Sequence, residues 1–291
     1  MRIAYIISIF ILVLPGFSPV SAQEFFTGTE YGIAAGGSEY FGDLNQNYGF
    51  HYVRPCGGGF IRYQLNPFIS VKGVMNYAHV GYDDAYSSNP FNKLRNLNFQ
   101  SDVIELAAQA EFNFFRFETG ELGSRFTPYL TGGIGTFYYN PYTYWHGEKY
   151  YLRKLGTEGQ NLPGYSDRKY SNFSVCFPIG FGVKYWVRPG FNIGCEIADR
   201  LTLTDYLDDV SSTYVGASKF PTFPNAPNPA YYLQDRSIES SPDNPLGRAG
   251  KQRGDASTKD QYMLFMINLS FQLKTYRCPN YKKNGDKYPR F

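Results

Sequence analysis

SVCFPIGFGVKYWV (Ser174–Val187), RPG (Arg188–Gly190) and FNIGCEIADRLTLT (Phe191–Thr204) form one continuous stretch of alternating residues. In the first arm Val175, Phe177, Ile179, Phe181, Val183, Tyr185 and Val187 occupy one parity, and Gly180, Gly182 and Lys184 the other. In the second arm Phe191, Ile193, Cys195, Ile197, Leu201 and Leu203 share a parity broken only by Asp199, opposite Asn192, Gly194, Glu196 and Arg200. Strand side chains alternate faces with period two, so this is a hairpin with one apolar face and one polar or small face. Its arms are long for a soluble strand and suit a strand tilted across a bilayer. A soluble sandwich would turn the apolar face inward; here the opposite face carries Gly, Lys, Glu and Arg, which suits the lumen of a narrow barrel.

The same period recurs along the chain. Met263, Phe265, Ile267, Leu269, Phe271 and Leu273 alternate with mostly polar partners. Ile61, Tyr63 and Leu65 lead through Asn66-Pro67 to Ile69, Val71, Met75 and Tyr77. Ile104, Leu106, Ala108, Ala110 and Phe112 form a sixth strand, and weaker patterns at Thr29–Tyr40 and Pro128–Tyr139 complete eight, an even number as single-chain bacterial barrels require. The connections fall at about 42–53, 66–67, 79–100, 115–126, 140–172, 188–190 and 205–258, long alternating with short. Short periplasmic turns and long outer loops are the habit of membrane barrels, so the expectation is an all-β, antiparallel transmembrane β-barrel of eight strands with both termini periplasmic.

Composition agrees. Aromatic residues are 19% of the chain, supplied almost wholly by 27 Tyr and 25 Phe, yet mean hydropathy is −0.38. A membrane barrel reconciles the two by placing apolar residues at every second position. A net charge of +3 is too small to imply nucleic acid. Met1-Arg2, the apolar run Ile3–Leu14, a Pro15-Gly16 break and Val20-Ser21-Ala22 have the order of a secretory signal peptide, expected to span residues 1–22. The apolar run falls short of the roughly 20 residues a transmembrane helix needs. The barrel is then expected over 23–276, with its long external loop at about 205–258, Pro-, Asn- and Ser-rich and expected to be mobile. A basic periplasmic tail follows at 277–291. Cys56, Cys176, Cys195 and Cys278 have no zinc spacing and could form two disulfides in an oxidising compartment. Cys176 and Cys195 have opposite parity in neighbouring strands, so no 176–195 bridge is expected.

An eight-stranded barrel has an interior just wide enough for side chains to fill. Arg62, Lys72, Glu105, Glu111, Lys184, Glu196 and Arg200 are expected inside, pairing to plug the lumen rather than lining a pore. Aromatics at strand ends suggest girdles at the headgroup level. Tyr63, Phe68, Phe115, Phe126, Tyr185, Trp186, Phe191 and Tyr276 would form the periplasmic one; Tyr40, Tyr77, Tyr82, Tyr139, Tyr170, Tyr206 and Tyr262 the outer one.

Chemistry is sparse. His51, His79 and His146 fall in or beside outer loops, and no Gly-x-Ser-x-Gly elbow supports a hydrolase. Asp205, Asp208 and Asp209 could hold a hard cation but lack the EF-hand order, and a solvated loop start is the simpler reading. Gly132-Gly133-Ile134-Gly135 is not followed by a helix, so close strand packing explains it better than phosphate binding. No catalytic, cofactor or metal-binding residue and no small-molecule substrate is expected; the chain reads as non-enzymatic, its immediate partner being outer-membrane lipid.

Four segments carry a resemblance: Gly36-Gly37-Ser38-Glu39-Tyr40-Phe41-Gly42-Asp43-Leu44, Phe126–Gly135, Leu155-Gly156-Thr157-Glu158-Gly159-Gln160, and Thr204-Asp205-Tyr206-Leu207-Asp208-Asp209-Val210-Ser211. In that order the chain resembles the PorG-type outer-membrane proteins of Bacteroidetes. The resemblance implies a component of the type IX secretion system that associates with a periplasmic ring of PorK- and PorN-like proteins. It offers no catalytic residues. Alternatives are a stand-alone barrel for adhesion or envelope integrity and, third, a lipid-modifying enzyme. For a ring partner the accessible side would be periplasmic: the turns at 66–67, 115–126 and 188–190, and the tail, where Arg277, Tyr281, Lys282 and Lys283 mix the charge and aromatic character that anchors interfaces.

Overall fold

The computed structural model describes residues 28–119, 123–223 and 227–273. The expected signal peptide, Tyr276, Cys278 and the tail with Arg277, Tyr281, Lys282 and Lys283 lie outside the described residues.

Eight long strands form the wall: β1 (Thr29–Phe41), β2 (Arg54–Gln64), β3 (Ile69–Asp83), β4 (Asn98–Asn113), β5 (Phe126–Tyr138), β8 (Phe173–Arg188), β9 (Phe191–Thr202) and β10 (Gln261–Leu273). A short hairpin, β6 (Tyr142–Trp145) with β7 (Glu148–Tyr151), joins the edge of β4 through Gln100 and Tyr142. Each wall strand pairs antiparallel with its neighbours. β1 pairs with β10 from Thr29–Leu273 to Phe41–Gln261, which closes the sheet into a barrel. Closure leaves no sheet edge, which is the condition for strands to cross hydrocarbon, where an unpaired backbone group costs several kcal/mol. Among the described residues no helix is long and apolar enough to cross a membrane.

The connections sort by length with one exception, 114–125, which has as many residues as 42–53. Three (65–68, 114–125, 189–190) lie at one end, with the chain's first and last described strand ends. The long ones (42–53, 84–97, 139–172, 203–260) lie at the other. β3 and β4 extend further toward the long-loop end than alternation alone suggested, which shortens the expected 79–100 connection. The tightest turn needs Gly190, whose φ of +81° is open to glycine at no steric cost.

Burial is inverted relative to a water-soluble protein. Phe181 is 58% exposed and Ile193 39%, while Lys184 is 3% and Glu196 1%. Ile33, Met75, Leu106, Ile134, Ile179 and Ile267 are likewise exposed on the wall. Small residues inside make room for large ones: a Cβ on Gly182 would lie 2.6 Å from the Tyr129 phenol, which fills the lumen beside it. Register places Cys176 opposite Thr202 and Cys195 opposite Val183, so the two thiols face opposite sides, and Cys56, Cys176 and Cys195 are all free.

The aromatic rims need correction. At the turn end Tyr63, Phe68, Phe115, Phe126 and Tyr185 do face outward, but Trp186 is buried, with the Arg125 guanidinium 4.5 Å from its ring centre. At the long-loop end only Tyr77 of the expected girdle is exposed; Tyr40, Tyr82, Tyr139 and Tyr262 are buried in the barrel mouth. Parity is the reason. Tyr40 continues the inward row of Ala34 and Ser38, and Tyr262 that of Leu264 and Met266, so nearness to a strand end does not bring them to lipid. The outward aromatics here are Tyr77, Tyr144, Tyr151 and Phe173.

The wall makes a direct prediction. Phe181→Arg should destabilise the folded barrel by about 2–4 kcal/mol if Phe181 lies near the bilayer midplane, and less toward a rim. Single cysteines at 181 and 193 should react with a lipid-phase probe, and at 184 and 196 should not. The reverse pattern would overturn the register.

Candidate functional site

The lumen is the first candidate; its charged residues come from six strands, and Tyr129 and Tyr262 add the other two. Glu111 on β4 is its centre. Its carboxylate lies 2.8 Å from Arg62 Nε (β2), 3.1 Å from Lys72 Nζ (β3) and 2.7 Å from Lys184 Nζ (β8). Arg62 also meets Glu30 of β1 at 2.7 Å, and Lys72 meets Glu196 of β9 at 2.6 Å. The Tyr129 hydroxyl donates to Glu196 at 2.7 Å. Nearer the mouth, Arg200 pairs with Glu105 at 3.0 Å, and Glu105 accepts from Asn76 at 2.8 Å and Tyr262 at 2.7 Å. Four cations thus face four carboxylates, all buried and all paired, as charges away from water must be. The seven inward charges read from the sequence are all in this network; Glu30, the eighth, belongs to a strand whose alternation was weak.

The turn end is closed as well. The described residues of the 114–125 connection pack against it, with Phe117 buried, its backbone amide bonded to Pro67 O at 3.3 Å, and Thr119 bonded to Asn192 at 3.1 Å.

The long-loop end holds a second, denser polar assembly. Tyr40 Oη lies 2.6 Å from Asp208 Oδ2 and 2.9 Å from Asp260 Oδ1. A phenol carries one proton, so two such contacts require a second proton on one of the carboxyls. Asp260 also accepts from Leu207 N at 2.8 Å, and Asp43 accepts from Asp255 N at 2.9 Å. Arg253 reaches Glu158 at 3.0 Å and the Asp209 carbonyl at 2.6 Å. Arg95 clamps Asp84 with two bonds of 2.7 Å and reaches the Arg253 carbonyl, also at 2.7 Å. Glu158 accepts from Ser211 N at 2.9 Å; Asp209 accepts from Thr157 and, at 2.6 Å, from Tyr170. Every long connection contributes to this cap.

The 205–258 loop is therefore folded rather than mobile among its described residues. Val215, Phe220 and Ala230 form a small core with Leu155, Leu162 and Tyr231 against it. Its local signals are ordinary ones. Asn228 caps the helix Pro229–Leu233 with Pro at the first position, as Asn89 caps Pro90–Arg95, and Gly156 at φ +70° ends Leu152–Leu155. Asn-Pro at those positions could have signalled the helices. The long-range pairing of Arg253, Glu158 and Arg95 had no local signal.

The other candidates resolve plainly. Asp208 and Asp209 are buried acceptors, and Asp205 accepts from Ser211 at 2.5 Å; the solvated loop start expected of them is replaced by the cap. Among the described residues no group of three or more His, Cys, Asp or Glu is placed to hold a metal. His79 Nδ1 lies 2.9 Å from Asp102 on the outer wall, where Tyr77 donates to the same oxygen at 2.7 Å; His51 and His146 are exposed in separate loops. Gly132–Gly135 lies inside β5, as strand packing requires.

Two predictions follow from these networks. Glu111→Gln removes the one carboxylate shared by three buried cations and should destabilise the barrel by about 3–5 kcal/mol, measured by urea unfolding from detergent micelles. The cap should respond to pH. Burial pushes Asp43 up to about 6 and Asp205 up to about 7. Burial, then the neighbouring carboxylates, raise Asp208 and Asp260 further. These groups hold protons to higher pH in the cap than in an unfolded chain, so their contribution is complete below about pH 4 and is lost as pH rises through the folded values. Hydrogen exchange in 203–223, corrected for intrinsic rate, should be slower at pH 5 than at pH 8.

Comparison with known proteins places the chain. A family model described as "Domain of unknown function (DUF6089)" matches residues 5–233. No curated protein matches. Among solved structures, the N-terminal β-barrel domain of Pseudomonas aeruginosa OprF is 11% identical over 85% of this chain and 99% of its own, with a TM-score of 0.35. Ail, the attachment invasion locus protein of Yersinia pestis, is 10% identical over 85% and 99%, with a TM-score of 0.40. Pseudomonas aeruginosa OprG is 9% identical over 86% and 99%, with a TM-score of 0.37. The family match takes in most of the wall and three of the four connections that build the cap, so this barrel is a member of the DUF6089 family.

Proposed function

We propose that this chain is a non-enzymatic outer-membrane subunit of a type IX protein secretion machine, tethering or organising a periplasmic ring of PorK- and PorN-like proteins. In this reading its long loops face outward and both termini face the periplasm. The observation that carries it is a convergence. Three of the four segments behind the PorG-type resemblance, Gly36–Leu44, Leu155–Gln160 and Thr204–Ser211, meet in the cap through Tyr40–Asp208, Thr157–Asp209 and Glu158–Ser211. The resemblance thus falls on residues that act as one unit. A lumen filled by ion pairs and closed at both ends offers a fixed anchor rather than a conduit, which supports a tethering role.

The 114–125 turn is partly committed to plugging the barrel, which leaves the tail as the favoured contact, through Arg277, Tyr281, Lys282 and Lys283. Crosslinking in native membranes followed by retrieval of the full-length protein should recover the ring proteins. Recovery of the barrel without them would overturn the secretion reading. Removing 277–291 should leave the barrel inserted and lower ring recovery several-fold; recovery at the full-length level would move the contact to the turns.

The folded long-loop end favours a second reading, a stand-alone barrel for adhesion or envelope integrity. That reading expects no ring proteins on retrieval and a loss of surface attachment or detergent resistance when the gene is deleted.

A further inference from the structure

We propose that a cleft on the outer wall, between the start of β8 and the end of β9, binds the phosphorylated sugar headgroup of an outer-leaflet glycolipid. The cleft has a volume of about 330 Å3. That is at the small end of the roughly 300–1,000 Å3 usual for ligand clefts, and enough for one phosphorylated sugar ring.

Its lining joins apolar and basic side chains. Phe173 and Leu203, 64% and 61% exposed, continue the lipid-facing row of Phe177, Ile179, Phe181 and Leu201. Acyl chains lying on that row would bring their headgroup to this height. Lys169 and Lys259, both exposed, line the same cleft. Among the described residues neither ammonium lies within ion-pairing distance of a carboxylate. Two such lysines at a membrane surface attract anionic headgroups by charge.

The same cleft has an aromatic floor. Tyr139, Tyr170 and Tyr206 stack in series, with ring centres 6.2 and 4.6 Å apart and each pair of planes within 7°. The stack is held from behind. Tyr139 Oη bonds Thr204 at 2.9 Å, Tyr170 Oη bonds Asp209 at 2.6 Å, and Arg153 Nε bonds the Tyr170 carbonyl at 2.9 Å. A floor fixed in this way binds without reordering, and tyrosine rings suit the headgroup level, where one face of a ligand is apolar and the other wet. Asp205 also lines the cleft, facing Lys259, and accepts from Ser211 at 2.5 Å. Burial pushes its carboxyl up to about 7, so at neutral pH and below it offsets only part of the lysine charge.

The proposal rests on the reading that the long loops face outside. It can be tested without that reading, because reconstituted bilayers can present the glycolipid on both leaflets. The full-length protein would be placed in phosphatidylcholine nanodiscs and titrated with a bis-phosphorylated lipid A. Native mass spectrometry would count retained glycolipid. Lipid A should be retained, and its dephosphorylated form should bind at least about tenfold more weakly, as should lipid A on the Lys169→Ala/Lys259→Ala variant. Lys149→Ala, which alters a different part of the rim, should bind as the unaltered protein does, and Lys169→Arg/Lys259→Arg should restore most of the affinity. Inorganic phosphate at millimolar concentration should not displace the lipid. Equal retention by the double alanine variant, or equal binding of the dephosphorylated lipid, would overturn the proposal. Displacement by inorganic phosphate would overturn it in favour of a free-anion site. Ring recovery from native membranes is a separate readout, so failure of one does not read as failure of the other.

Discussion

The ion pairs in the turn-side half of this barrel are arranged around the carboxylate of Glu111. It meets cations from β2, β3 and β8, and one of those, Lys72, goes on to Glu196 on β9, the strand opposite β3 across the lumen. Such a network cross-links the wall through its centre and not only around its circumference. It also depends on barrel size. In an eight-stranded barrel the interior is narrow enough for side chains of opposite strands to meet, whereas wider barrels leave water between them. Strand number and charge pattern are therefore one constraint: at this diameter the inward Arg, Lys and Glu lose water and must pair, and their pairing fills the lumen. Glycines such as Gly182 belong to the same constraint, because the space they leave is taken by Tyr129.

Parity made the wall legible. Once Phe181 and Ile193 are assigned to lipid, Lys184 and Glu196 must face inward, and so must every residue in step with them. The same rule, applied strictly, would have placed Tyr40, Tyr262 and Trp186 inside. The expectation of an outer aromatic girdle followed a weaker argument, closeness to the strand end, and failed where the two conflicted. The cap lay beyond pattern. Tyr40 and Asp208 are separated by 168 residues and Arg95 and the Arg253 carbonyl by 158. Loops obey no period, so nothing in the spacing of one loop names its partner in another. What the sequence carried was local: Asn-Pro starts and a Gly stop for short helices. It did not show that those helices share a core.

That sharing explains why a polar loop as long as 203–260 folds at all. Ordering a chain segment costs roughly 1–2 kcal/mol per residue in backbone entropy, which this loop's few apolar side chains could not offset alone. Val215, Phe220 and Ala230 do so together with Leu155 and Leu162 of the neighbouring long connection, and buried guanidinium groups complete the contact. Arg253 and Arg95 each bond backbone carbonyls as well as carboxylates, so they satisfy groups that a loop away from water would otherwise leave unpaired. The carboxyls around Tyr40 are the exception to this economy of charge. They face one another with few cations near, and the cap keeps them there by holding protons.

A barrel closed in this way has its interior committed to structure. The charges that in another setting would mark an ion path are paired, Phe117 and Thr119 pack into the turn end, and the mouth is filled by aromatic rings under a hydrogen-bonded cap. What remains available to other molecules is the outside: the lipid-facing wall, the rims where wall meets headgroups, and the ends. Those surfaces differ in chemistry. The turn end, where β10 finishes at Leu273, is the end on which the proposed ring contact depends. The long-loop rim between β8 and β9 joins exposed apolar side chains, a fixed aromatic stack and two lysines within one cleft, suited to an amphipathic anion. Tyr170 and Tyr206 belong to both the cleft and the cap, so an occupant of the cleft would rest on the same rings whose hydroxyl and backbone contacts hold the loops together. Ligand and cap are then coupled through shared side chains, and what binds at the rim stabilises the closed mouth.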